Sequence, residues 1–260
     1  MSTAPTALIT GASAGIGREL ARAFAAGGYD LVVVARREQR LRALADELDD
    51  DHGTTTHVVA MDLAEPGAAA ELQTAVADRD VRVDALVNNV GVGTYGPFHE
   101  SDVEAELTQL RLNVELPVHL TRLYVPEMVE RDAGTVLNVA SLSAFQPGPK
   151  MAGYYASKAY LLSFSEAVAT ELRETGVSVT ALCPGPVSTE FQDRAEMTHA
   201  RLGSTFSLTA TEVAEAGYRG AMAGDPVVVP GLPMKLVYLA TRLSPRVLQR
   251  RAAAWVNADR

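Results

Sequence analysis

A short apolar run, Ala7-Leu8-Ile9, leads into Thr10-Gly11-Ala12-Ser13-Ala14-Gly15-Ile16-Gly17, and a helix-like stretch then runs from about Gly15 to Gly27. That join constrains the fold more than any other feature of the chain. Glycine has no Cβ, so the backbone can turn within a few residues and a ligand can approach it closely. The helix that follows presents unpaired N–H groups and the positive end of its dipole. Placed between a buried strand and a helix, Gly11, Gly15 and Gly17 predict the pyrophosphate cradle of a dinucleotide-binding βαβ unit. The spacing is Gly-x-x-x-Gly-x-Gly rather than the commoner Gly-x-Gly-x-x-Gly, so the plain alternative is a tight turn that holds no ligand.

The remainder of the chain repeats the alternation. Residues 31–34, 57–61, 85–87, 136–139, 177–182 and 226–229 are short runs rich in aliphatic and β-branched residues. Helix-like segments separate them, over 38–50, 68–77, two stretches before 136, and 154–174. Leu31-Val32-Val33-Val34 is apolar on both faces, as a strand covered by helices on two sides must be. βαβ units joined by right-handed crossovers predict an α/β, Rossmann-type doubly wound parallel sheet of about seven strands with helices on both faces. At 260 residues, 47% of them hydrophobic, the chain is expected to form a single domain over 1–260 that both binds the dinucleotide and does the chemistry.

The end of the second strand selects the cofactor. In dinucleotide folds an acid near this point bonds the ribose 2′-hydroxyl, whereas an arginine accepts a 2′-phosphate. The chain here reads Val34-Ala35-Arg36-Arg37. No acid is present, and two guanidinium groups able to grip phosphate bidentately are. NADP (NADPH) is therefore expected in preference to NAD. The alternative is that Arg36 and Arg37 only solvate the start of the next helix.

Tyr154 and Lys158 are four residues apart, which places them on one face of the predicted helix. A free phenol titrates near ~10, so a base working near neutral pH has to be brought down by roughly three pH units, about 4 kcal/mol. An adjacent ammonium favours the phenolate and supplies part of this. Ser141 follows the fifth strand thirteen residues before Tyr154, and a strand end facing a helix start can bring the two hydroxyls together. Ser143 competes with it for that role, and either serine can instead cap the loop.

These segments together resemble the short-chain dehydrogenase/reductase family. The matching stretches are Thr10 to Gly17, Asp62-Leu63, Asn88-Asn89-Val90-Gly91, Asn113, Asn138-Val139-Ala140-Ser141, Tyr154-Tyr155-Ala156-Ser157-Lys158 and Pro184-Gly185-Pro186-Val187-Ser188-Thr189. The resemblance implies that Tyr154 is the general acid/base, that Lys158 lowers its pKa and bonds the nicotinamide ribose, and that Ser141, rather than Ser143, orients the carbonyl. Asn113 is implied to help hold a water linking Lys158 to solvent. With Arg36 and Arg37, the implied cofactor groove comprises Gly11, Ser13, Gly15, Ile16, Gly17, Asp62, Leu63, Asn89, Val90, Gly91, Tyr154, Lys158, Pro184, Gly185, Val187 and Thr189. Asp62 and Leu63 would flank the adenine, and Thr189 would hold the carboxamide. Val90 stands where the family commonly has alanine and is expected to crowd the groove slightly.

The expected function is an NADP(H)-dependent oxidoreductase that interconverts a carbonyl and an alcohol, working as a dimer or tetramer by resemblance. Tyr95, Phe98, Gln146, Phe191, Met197 and Phe206 suggest an apolar substrate cavity, and residues 187–210 a substrate lid. Alternatives are an NADPH-binding sensor or scaffold without turnover, and an epimerase or dehydratase on the same frame. A net charge of -9 argues against nucleic acid. The five histidines share no ligand spacing, so no metal is expected. Cys183 is the only cysteine, which excludes an internal disulfide. Met1 to Thr6 lack a secretory pattern, and no run of about 18 apolar residues occurs, so a cytoplasmic location is expected. The tail, 232–260, carries leucines interleaved with arginines. A basic amphipathic helix of this kind can lie on an anionic membrane as a peripheral contact, pack on an acidic sister subunit, or present a solvated face.

Overall fold

The computed structural model describes residues 4–187 and 207–258. Seven strands form one parallel sheet in the order β3-β2-β1-β4-β5-β6-β7. They are β1 (Thr6–Thr10), β2 (Asp30–Ala35), β3 (Thr56–Ala60), β4 (Ala85–Asn88), β5 (Gly134–Val139), β6 (Val177–Leu182) and β7 (Val227–Val228). The chain winds outward from β1 to β3, returns to pair β4 with β1, and winds the other way to β7. The loops after β1 and β4 therefore diverge, opening a crevice at the carboxyl ends of the strands where ligands of such sheets bind.

Two-sided burial of the strands has its expected cause. Ala7, Ile9, Leu31 and Val33 face α1 (Gly15–Ala26) through Leu20 and Phe24, α2 (Glu38–His52) through Leu41 and Leu44, and α7 (Ala210–Ala223) through Val213 and Ala221. The alternate residues Leu8, Val32, Val34 and Leu86 face α3 (Ala68–Ala77) through Leu72 and Val76, and α5 (Leu116–Glu130) through Leu120 and Met128. A period of two along each strand thus supplies both layers.

A buried polar chain crosses the middle of the sheet. Asn88 Nδ2 donates to Asn138 Oδ1 at 2.8 Å and Thr121 Oγ1 at 3.3 Å, and Asn138 Nδ2 donates to Ser165 Oγ at 2.9 Å. Buried amides need partners, so these bonds fix β4 and β5 against α5 and α6 (Ala152–Glu171).

Boundaries differ from the sequence expectation in informative places. The long helix α6 starts two residues before Tyr154, so the tyrosine sits in its first turn. Between β4 and β5 the chain forms α4 (Val103–Leu110), one π-helical turn (Arg111–Glu115) and α5 without a break. Strand β7 is only two residues long, at the sheet edge. The tail is two helices, α8 (Leu232–Leu243) and α9 (Arg246–Val256). Among the described residues no helix is long and apolar enough to cross a membrane.

Candidate active site

The glycine loop is built by close approach. Gly11 has φ +72°, and its N–H donates to Val34 O at 2.8 Å, folding the loop back on β2. At Gly17 a Cβ would lie 2.3 Å from Asn89 Nδ2 and 2.4 Å from the Gly11 carbonyl. Only glycine fits there. Asn89 Nδ2 in turn donates to Thr10 O at 2.8 Å, tying the loop after β4 to the loop after β1. Val90 is partly buried against the α3/α5 layer and reaches the cavity wall without closing it. This cradle, with the start of α1 behind it, suits the pyrophosphate of a dinucleotide.

The two arginines separate. Arg36 lies 3.5 Å from the Asp62 carboxylate at the end of β3, where Asp62 Oδ1 also accepts from the Ala64 N–H. Arg37 turns toward the glycine loop, and its guanidinium donates to Ser13 Oγ at 3.0 and 3.3 Å.

Ser141 lies two residues past β5 and caps a short 3-10 turn (Leu142–Phe145), its Oγ accepting from the Ser143 N–H at 3.1 Å. Leu142 N–H donates to Pro184 O at 2.8 Å, which holds this turn beside the loop after β6. The Ser141 hydroxyl lies near enough to the Tyr154 phenol to draw its pKa down. Ser143 acts on the phenol more weakly, and its buried Oγ has no well-directed hydrogen-bond partner among the described residues. Burial pushes the Tyr154 phenol up to about 12, and the Ser141 hydroxyl opposes only part of this. Lys158 is not among the groups that shift the phenol here. The Lys158 ammonium donates to Val139 O at 2.8 Å and stands 5.9 Å from the centre of the Tyr154 ring. Burial brings that ammonium down to about 8.

Asn113 lies in the π-helical turn and is buried. Its Nδ2 donates to Val92 O and Ser157 Oγ at 2.9 and 3.0 Å, and its Oδ1 accepts from Val92 N–H at 3.0 Å. Pro117, four residues on, has no N–H to give the Asn113 carbonyl. Gly91 explains itself here, because a Cβ would lie 3.0 Å from Asn113 Oδ1 and 3.3 Å from Lys158 Nζ.

One continuous cavity of about 1140 Å³ joins these parts. It runs from the glycine loop, Arg36, Arg37, Asp62 and Leu63 past Asn89, Val90 and Gly91 to Ser141, Tyr154 and Lys158, with Pro184, Gly185 and Val187 on its wall. Asn113 stands behind the Gly91 wall. Thr189 lies outside the described residues, as do Phe191, Met197, Phe206 and most of the 187–210 segment. The two ends of that segment meet in a parallel bridge between Val187 and Leu208.

The short chain dehydrogenase family model matches residues 5–200. The chain belongs to the short-chain dehydrogenase/reductase family. Members of this family bind a nicotinamide cofactor. A short chain dehydrogenase of Pseudocercospora fijiensis is 39% identical over 187 residues, which cover 71% of this chain but only 60% of the fungal protein's length. A short-chain dehydrogenase of Sphingobium yanoikuyae, solved in complex with NADPH, superposes with a TM-score of 0.82 at 32% identity over 92% of each chain. A solved 7β-hydroxysteroid dehydrogenase gives a TM-score of 0.87 at 26% identity over 96% of each chain.

The cavity also has a wall that sequence reasoning missed. Met234, Val237 and Thr241 of α8 and Leu248, Gln249 and Val256 of α9 line the same cavity as Tyr154. Met234 reaches Gly185, where a Cβ would lie 2.6 Å from its Sδ, and Tyr238 packs on Phe145 at 4.5 Å between ring centres. Asn257 fastens the end of α9. Its Nδ2 donates to Pro149 O at 2.9 Å, its carbonyl accepts from Tyr95 OH at 2.7 Å, and its side chain lies 3.4 Å from Tyr155 OH. Of the aromatic and polar residues expected around the substrate, Gln146 lines the cavity, Tyr95 serves this clasp, and Phe98 points to solvent from a 3-10 turn. The leucines that made the tail read as amphipathic, Leu236, Leu239 and Leu243, are exposed and do not line the cavity, so they gave no signal for this wall. Cys183 is fully buried, and burial pushes its thiol up to about 12, so it is a core residue.

Proposed function

We propose that this protein is an NADPH-dependent carbonyl reductase, running as an alcohol dehydrogenase in reverse, on an apolar substrate. The observation that carries the reading is the Ser141–Tyr154 hydroxyl pair facing a cavity continuous with the glycine loop. When bound, the nicotinamide ring supplies the hydride. Ser141 donates to the substrate carbonyl oxygen and steadies the charge that develops there. Tyr154 gives its phenolic proton to the same oxygen. A phenol held near about 12 is protonated at neutral pH, which suits an acid and hence the reductive direction. Lys158, anchored on Val139 O, presents its ammonium beside Gly91, where it would orient a ribose and return a proton to the phenol. Asn113 holds the loop at Val92 and lends its carbonyl to a water serving Lys158.

Arg37 and Ser13, already bonded to each other, form a donor pair at the edge of the glycine loop that fits a 2′-phosphate, while Arg36 and Asp62 frame the adenine. The NADPH complex of the Sphingobium relative supports this preference. Apolar lining from α8 and α9 and the likeness to a hydroxysteroid dehydrogenase support a bulky, apolar carbonyl. Exposed Leu107 and Leu110 on α4 and Tyr160 on the adjoining α6 support association of two copies across that face.

The test is NADPH oxidation against a panel of ketones, aldehydes and sterols. Tyr154→Phe should lower turnover by at least about 10²-fold with cofactor affinity within a few-fold of the parent. Undiminished turnover would remove the assigned role. Arg36→Asp with Arg37→Ala should weaken NADPH far more than NADH, and equal losses would contradict the phosphate reading. NADPH binding with no carbonyl reduced anywhere in the panel would favour a sensor.

A further inference from the structure

The helices that wall the cavity have a second face. On α8, Leu232, Leu236, Leu239 and Leu243 recur at i, i+4, i+7 and i+11, which is one stripe of a helix. All four are exposed, Leu243 at 86%. Met234, Val237 and Thr241, which line the cavity, lie on the opposite side of the same helix. On α9, Gln249 and Val256 line the cavity, Leu248 lines its edge while 55% exposed, and Val247 and Trp255 are exposed and do not line it, Trp255 at 59%. Such an exposed apolar face calls for a partner.

Charge decides which partner. Residues 232–258 carry Lys235, Arg242, Arg246, Arg250 and Arg251 and no acid, in a chain of net charge -9. All five are exposed, and none forms a salt bridge among the described residues. Lys235 and Arg242 flank the leucine stripe on α8. A second copy docking its own stripe on this one would set those cations against each other. A surface that is both negatively charged and apolar beneath accepts the whole face. An anionic lipid bilayer has that profile: leucines and a tryptophan enter the headgroup boundary while arginines meet phosphates.

We propose that α8 and α9 form a lipid-facing hairpin that docks the protein peripherally on an anionic bilayer, leaving the inner faces of the same helices as the substrate wall. One short helical layer then separates the bilayer from the cavity, so the substrates reached are apolar carbonyls that partition into lipid. That last clause rests on the carbonyl-reductase reading. The docking itself does not.

Trp255 is the only tryptophan in the sequence, so intrinsic emission reports on the face directly. The full-length protein is titrated with phosphatidylcholine vesicles, with or without phosphatidylglycerol, and vesicle co-sedimentation is measured in parallel. With phosphatidylglycerol present, emission shifts to the blue and protein sediments. Both responses shrink on neutral vesicles and at about 1 M salt, where the screening length is about 3 Å. Each basic residue near an anionic surface is worth roughly fivefold in binding, so Arg242→Glu with Arg246→Glu lowers affinity by at least about 25-fold. Leu239→Ser with Leu243→Ser keeps the charge and loses the blue shift. Unchanged emission and no sedimentation of the parent protein on anionic vesicles overturn the proposal. So does a fall in oligomer mass for the leucine variant in analytical ultracentrifugation without vesicle binding by the parent, which assigns the face to a second copy. Vesicle binding needs neither cofactor nor turnover, so its failure is read separately from failure of the enzymatic assignment.

Discussion

Replacing Lys158 by methionine should abolish efficient catalysis and yet make the cofactor-free protein more stable at neutral pH. Lys158 is 4% exposed, and burial brings its ammonium from the ordinary 10.5 down to about 8. At about 1.36 kcal/mol per pH unit, holding the charge inside costs roughly 3 kcal/mol of folding free energy. Methionine keeps the unbranched stem and removes the charge. The Val139 carbonyl loses its donor, which costs about 1 kcal/mol where cavity water can replace it. The net gain is about 2 kcal/mol, or a rise in Tm on the order of 4–8 °C for a chain of this size. The pH dependence carries the sign. Below about 8 the lysine is charged in folded and unfolded chains alike, and the full penalty applies. Between about 8 and 10.5 the unfolded chain holds more protons than the folded one, so wild-type stability rises with pH relative to the variant. Above 10.5 the penalty is gone, and the variant should be the weaker by the lost hydrogen bond. Urea unfolding of both proteins from about pH 7 to above 10.5 measures the gap, and titrations common to both cancel. A variant less stable at neutral pH, or a gap that does not change with pH, would refute the reasoning.

Two further outcomes follow from contacts on the cavity wall. Gly17→Ala should sharply weaken NADPH binding in a fluorescence titration and cost about 1–3 kcal/mol of stability, because the new Cβ meets Asn89 Nδ2 and the Gly11 carbonyl well inside contact distance. Wild-type affinity in that variant would mean that the loop yields freely. Asn257→Ala should leave Pro149 O and Tyr155 OH short of a partner, cost about 1–3 kcal/mol, and raise KM more than it lowers kcat, since Tyr154 and Lys158 are untouched. A fall in kcat at constant KM would show that the clasp acts on the proton machinery instead.

The sheet was legible because its signals are local. Two-sided apolar runs such as 31–34 and the alternation of strand with helix report burial by their period, and the βαβ handedness then restricts the winding. The glycine loop was legible for the same reason: Gly11 and Gly17 are demanded by a turn and a close approach within seven residues. Helix ends were less so. The start of α6 before Tyr154 and the π-helical turn around Asn113 depend on what packs against them, Val92 and Ser157 in the latter case.

Several features of the candidate site were set only in three dimensions. Arg36 and Arg37 are adjacent in sequence and equivalent in charge, yet one meets Asp62 and the other Ser13. The tyrosine and lysine pair was readable from spacing, but the direction of the phenol's shift was not, since desolvation by the surrounding fold sets it. The tail read as an amphipathic segment with three candidate roles. Its return over the cavity is fixed by Asn257, whose partners Tyr155 and Tyr95 are 102 and 162 residues distant along the chain. The sequence alone determined the parallel sheet and the cradle at its switch point, because periodicity and glycine geometry act over a few residues. The cavity wall from α8 and α9 and the assignment of each cation were decided by tertiary structure, because contacts between distant segments leave no period to read.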